Sequence, residues 1–135
     1  MLFRRKIPLS IQFEAACAAV SVHDRRKVAK ILRGYGYLFW VLSHDKHLKN
    51  YLSFTPTELL DYFKQHPDVC QKLVLDSSDK RFSPSTFIQP EGDKYIVGYV
   101  DDSYAPMTRE ILCFHTIDEA VTDYVLFSLG MPRLR

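Results

Sequence analysis

His44-Asp45-Lys46-His47 sets two imidazoles three residues apart, a spacing that on a helix turns both to one side. That is half of a zinc site, which takes three or four ligands. No neighbouring Cys, Glu or third His completes it. Cys113 and His115 flank Phe114 and would share one strand face, as a thiol–imidazole nucleophile pair requires. No orienting Asn or Asp and no oxyanion donor can be assigned to them. His66 precedes Pro67, reading as a helix end where a cation suits the dipole. Gly34-Tyr35-Gly36 lacks the third glycine and the strand–helix context of a nucleotide fingerprint, and no P-loop, H-E-x-x-H or G-x-S-x-G occurs. The chain is therefore expected to catalyse no reaction and to need no metal or cofactor.

Charge offers a different chemistry, that of recognition. Residues 1–50 hold ten Lys/Arg against three Asp/Glu, and residues 51–135 hold eight against thirteen. Glu91, Asp93, Asp101 and Asp102 fall in the two loops flanking a strand over 94–100, with Tyr99 and Tyr104 beside them. Asp118, Glu119 and Asp123 fall on the first turns of the last helix. Loops carry binding functions readily, and carboxylates beside tyrosines suit docking on a basic macromolecule. The expected partner-binding set is Glu91, Asp93, Tyr99, Asp101, Asp102, Tyr104, Asp118 and Asp123. The alternative surface is the basic segment 25–33, where Arg25, Arg26, Lys27, Lys30 and Arg33 could contact phosphates in a loose helix-turn-helix arrangement. Its recognition face has no Asn or Gln to read bases, so nucleic acid is the second choice.

The elements that must present these groups are legible from period and punctuation. Ser10 caps a helix carrying Phe13, Cys17 and Val20. Asp24 opens a second, with Val28, Ile31 and Leu32 as its apolar stripe and Gly34 as its left-handed stop. The run from Tyr37 through Leu52 is ambiguous between helix and strand, with helical spacing favoured. Thr55-Pro56-Thr57-Glu58 is a capping box with proline at the first helical position. That helix stops at His66-Pro67, and a shorter one covers 68–75. After the polar connector 76–80 the period shortens. Residues 86–89 and 94–100 read as strands around a turn at 90–93, and 108–114 as their partner. Thr116-Ile117-Asp118-Glu119 repeats the capping box, and Gly130 with Pro132 ends the closing helix. The fold class is α+β: a helical N-terminal half, a small antiparallel sheet of two or three strands, and a C-terminal helix. We read 1–135 as one domain, helical over about 1–75 and hairpin plus helix over about 82–130.

Composition agrees with a packed core: 135 residues, 47% hydrophobic and 13% aromatic, suit one domain and exclude a disordered chain. Gln12 and Glu14 interrupt the apolar stretch after the basic cluster Arg4-Arg5-Lys6, so neither a secretion signal nor a membrane span is expected. Three widely spaced cysteines, an odd number, fit a reducing cytoplasm.

The segment Lys94–Val100, then Arg109–Phe114, then Phe114-His115-Thr116-Ile117-Asp118-Glu119-Ala120-Val121-Thr122-Asp123-Tyr124 resembles the ending of small bacterial immunity proteins. These belong to contact-dependent inhibition and other polymorphic toxin systems. In them a strand pair leads through an aromatic and a short cap into an "E-A" pair opening a helix. The likeness covers roughly the last 45 residues. It implies a cytoplasmic inhibitor without catalytic activity that binds a cognate toxin and occludes its active or target-binding surface. Many such toxins are nucleases with cationic clefts, which would make the acidic set above the contact.

Overall fold

A computed structural model describes residues 6–21, 23–35, 48–78, 85–101 and 107–135. The chain is an α+β protein: the described residues form five α-helices and a three-stranded antiparallel sheet in the order β1-β2-β3. The helices are α1 (Leu9–Val20), α2 (Lys27–Arg33), α3 (Pro56–Gln65), α4 (Pro67–Ser77) and α5 (Ile117–Ser128). The strands are β1 (Ser85–Glu91), β2 (Lys94–Asp101) and β3 (Met107–Phe114), and a 3-10 turn spans Lys49–Tyr51. The ambiguous stretch from Tyr37 lies outside the described residues up to position 47.

Local chemistry explains most boundaries. Pro8, extended at ψ 147°, starts α1, and its carbonyl accepts the Ile11 and Gln12 amides at 3.0 Å. Ser10 therefore sits inside the first turn and does not cap it. α3 has the full capping box: Thr55 Oγ1 accepts the Glu58 amide at 3.1 Å, and Glu58 accepts the Thr55 amide at 2.8 Å. At α5 half of it survives, Thr116 accepting from Glu119 at 3.4 Å. Gly34 is right-handed at φ −63° and supplies no left-handed stop. Gly130, at φ +74°, does. Its amide bonds Phe127 and the Met131 amide bonds Leu126, the paired bonds of a Schellman ending.

β1 and β2 join through Gly92-Asp93, where Gly92 at φ +62° turns the chain tightly. Pro90 and Glu91 belong to β1 and not to the turn. Proline is tolerated there because β1 is an edge strand. β2 and β3 pair with a bulge: Val97 faces Leu112, but Tyr99 faces Arg109. Gly98 thus opposes two residues, and Glu110 takes the left-handed φ of +56°.

α5 is the centre of the molecule. Ala120 through Leu126 are buried without interruption, two turns covered all round, as in a helix enclosed by its own protein. It packs on all three strands and on α1, α3 and α4. One buried apolar cluster joins α1 and α3 residues such as Phe13 and Phe63 to Ile88, Val97 and Phe114 of the sheet.

Candidate functional site

The strands fix where each recognition residue stands. β2 is eight residues long, so its ends lie about 23 Å apart. Glu91 and Asp93 are at one end, at the β1–β2 turn, and Asp101 is at the other. β3 returns to the turn end, because Phe114 pairs with Tyr95. α5 therefore begins there, bringing Asp118 to the end that carries Glu91 and Asp93. The described members of the expected set therefore do not form one surface.

Glu91 and Asp93 are exposed and Asp118 is half-buried. None of the three forms an ion pair with a described cation. Asp68 is exposed in the first turn of α4. Burial first, then the charges of Asp118 and Asp68, push the Cys70 thiol up to about 11, so both carboxylates act on one side chain.

Two expected contacts serve the fold instead. Asp123 is fully buried, and Arg133 bonds it through Nε at 3.1 and 3.2 Å and through Nη2 at 2.6 Å. The Leu134 amide adds a bond at 3.2 Å. Asp123 is a structural anion and cannot meet a partner, which corrects its assignment to the recognition set. Asp101 pairs with Arg109 at 3.1 Å, and that guanidinium lies 5.8 Å from the ring centre of half-buried Tyr99. Asp102 and Tyr104 lie outside the described residues.

The groups weighed for chemistry fare similarly. His66 Nδ1 lies 2.7 Å from the Tyr62 carbonyl and its ring stacks on Tyr62 at 4.2 Å. A carbonyl can only accept, so Nδ1 carries the proton and the imidazole is tied to its own helix. Cys113 and His115 are exposed at the end of β3, and the His44/His47 pair lies outside the described residues. Burial pushes the Cys17 thiol up to about 12, the opposite of what a nucleophilic thiolate needs. Among the described residues no three His, Cys, Asp or Glu side chains could hold a metal ion, and no helix is long and apolar enough to cross a membrane.

An open groove of about 500 Å³ runs between residues 6–9, Gln12, Ser53 and Glu58. Its buried polar side chain, Gln12, is committed internally. Buried Gln12 donates to Ile7 O and Ser53 Oγ and accepts from the Ser53 and Phe54 amides at 2.7 and 3.2 Å. A second polar cluster joins the end of α1, α4 and β1, where Ser21 Oγ donates to Asp76 Oδ2 at 2.7 Å and Ser77 Oγ accepts the Ile88 amide at 3.0 Å. These interior polar groups escaped sequence reading, as did Arg133. The available signal was α5 itself, since a carboxylate in a helix buried on every side must own a cation.

The basic segment is well formed. Arg25, Arg26, Lys27, Lys30 and Arg33 are all exposed, while Val28 and Leu32 anchor the opposite side of α2. Asp24 bonds Lys72 and pairs with Lys27 at 3.1 Å. Hydrogen bonds from Lys72 first, then Lys27, hold its carboxyl below the usual carboxylate range. With seven residues in α2, there is no helix here of the length a recognition helix lays in a groove.

No protein-family model matches the chain, and no curated protein and no solved structure is significantly similar to it.

Proposed function

We propose that the protein is an immunity-type inhibitor: it acts in the cytoplasm, catalyses nothing, and neutralises a cognate toxin by covering that toxin's active or target-binding surface. The partner is a basic protein, and a nuclease is the expected class, because a cationic cleft built for phosphates also attracts carboxylates. The observation that carries the reading is the unpaired acidic end. Glu91, Asp93 and Asp118 share one end of the sheet and pair with none of the described cations. The contact set is accordingly Glu91, Asp93 and Asp118, and Asp68 acts with Asp118 on Cys70. Asp101 and Tyr99, tied to Arg109, stand outside it.

Rescue tests this. Cells expressing the toxin domain encoded immediately upstream of this gene should grow when the wild-type chain is co-expressed. Glu91→Lys, Asp93→Lys and Asp118→Lys combined should abolish rescue while the folded content stays unchanged. Absence of a toxin gene beside this one, or full rescue by the triple variant, overturns the proposal.

A further inference from the structure

We propose that the exposed face of α2, carrying Arg26, Lys30 and Arg33, binds the phosphate backbone of duplex nucleic acid without reading its sequence. At 100° per residue these three positions fall within about 60° of one another, spread over about 10 Å of helix axis. Arg26, although it precedes α2, has helical backbone angles of −66° and −19° and continues the stripe. Val28 and Leu32, 5% and 0% exposed, hold the opposite side against α1, so the cations are presented from a fixed support.

The surroundings leave that charge available. Two carboxylates beside the segment leading into α2 are both engaged: Asp24 with Lys27 and Lys72, and Asp76 with Ser21. Arg26, Lys30 and Arg33 pair with no described carboxylate. Lys27, already paired, is excluded from the stripe.

The chemistry of the face selects the occupant. Three cations and no Asn, Gln or aromatic side chain along the stripe leave nothing to read a base edge or to stack on an unpaired base. What remains is attraction to closely spaced phosphates, strongest on a duplex. The surface shares no residue with the acidic end, so this inference stands apart from the inhibitor reading.

Fluorescence anisotropy of the full chain with a labelled duplex of about 20 base pairs tests the proposal in its own terms. Three released counterions predict a slope of about −2.7 for log affinity against log salt, roughly 40-fold weaker binding at about 200 mM than at about 50 mM salt. R26Q, K30Q and R33Q combined should weaken binding about tenfold or more and flatten the slope. Glutamine keeps nearly the helix propensity of Arg and Lys, and each single variant should reduce the slope by about 0.9 should the triple variant melt early. Four results overturn it: no duplex binding at about 100 μM protein; a triple variant equal to wild type; tighter binding to the single strand; or binding confined to anionic lipid vesicles.

Discussion

Arg133 holds Asp123 through three hydrogen bonds in a site where the carboxylate has no exposed surface and the guanidinium is 14% exposed. The same guanidinium reaches the Val97 carbonyl at 3.2 Å and the Glu110 carbonyl, and lies 4.0 Å from the centre of the Phe127 ring. One side chain thereby joins the residues after α5 to the helix and to both bulged strands.

Removing one partner of such a pair leaves an uncompensated charge in the interior. Arg133→Ala should therefore cost about 3–5 kcal/mol in urea unfolding. Adding Asp123→Ala to it should recover part of that loss, because the orphaned carboxylate goes with it. A cost below about 1 kcal/mol for Arg133→Ala would mean the pair contributes no support.

The bulge should respond with opposite signs on its two sides. A Cβ at Gly98 would meet Phe87 Cε1 at 3.0 Å, the Arg109 carbonyl at 3.1 Å and Ile111 Cγ1 at 3.1 Å. Gly98→Ala should destabilise by about 1–3 kcal/mol, since the Arg109 contact is backbone and cannot swing away. Glu110→Gly removes a left-handed non-glycine residue and should raise stability by up to about 1 kcal/mol. Urea midpoints that fall for both variants would contradict the strain assigned to Glu110.

What could be read from the chain alone was what short-range chemistry decides. Thr55 and Glu58 sit three residues apart, Gly130 ends its own helix, and the β1–β2 hairpin closes over two residues, so the α+β order was legible. The acidic set was misgrouped because loops at the two ends of one strand point away from each other. Asp101 and Asp93 are close in sequence and about 23 Å apart in space. Arg133 lies ten residues beyond Asp123 and past a helix stop. Only the packing of α5 between helices and sheet turns its tail back, and no local period records that.

The two threonine caps should differ in worth. Thr55 takes part in a reciprocal box with bonds of 3.1 and 2.8 Å, whereas Thr116 accepts one bond of 3.4 Å. Thr55→Ala should cost about 1 kcal/mol and Thr116→Ala about half of that. Thermal melts of the two variants compared with wild type would expose an inverted order.

Stability should fall on the alkaline side, and the buried thiols give the window. Burial pushes Cys17 from 9.0 up to about 12 and Cys70 from 9.0 up to about 11. Tyr62 moves from 10.0 to about 12, and Tyr124 is raised as well, in both cases chiefly by burial. Below pH 9 the thiols are neutral in both folded and unfolded chains and contribute nothing to the pH dependence. Above it the unfolded chain releases protons that the native state retains. The native state then binds more protons, and stability declines with rising pH at about 1 kcal/mol per pH unit for each thiol, until the folded values are reached. Urea unfolding at steps from pH 8 to about 10.5 measures that slope. Cys17→Ala, whatever its effect at pH 7, should make the slope shallower, because it deletes one of the titrating groups. A midpoint that stays level across this range would show that both thiols ionise as readily in the folded protein as in the unfolded chain.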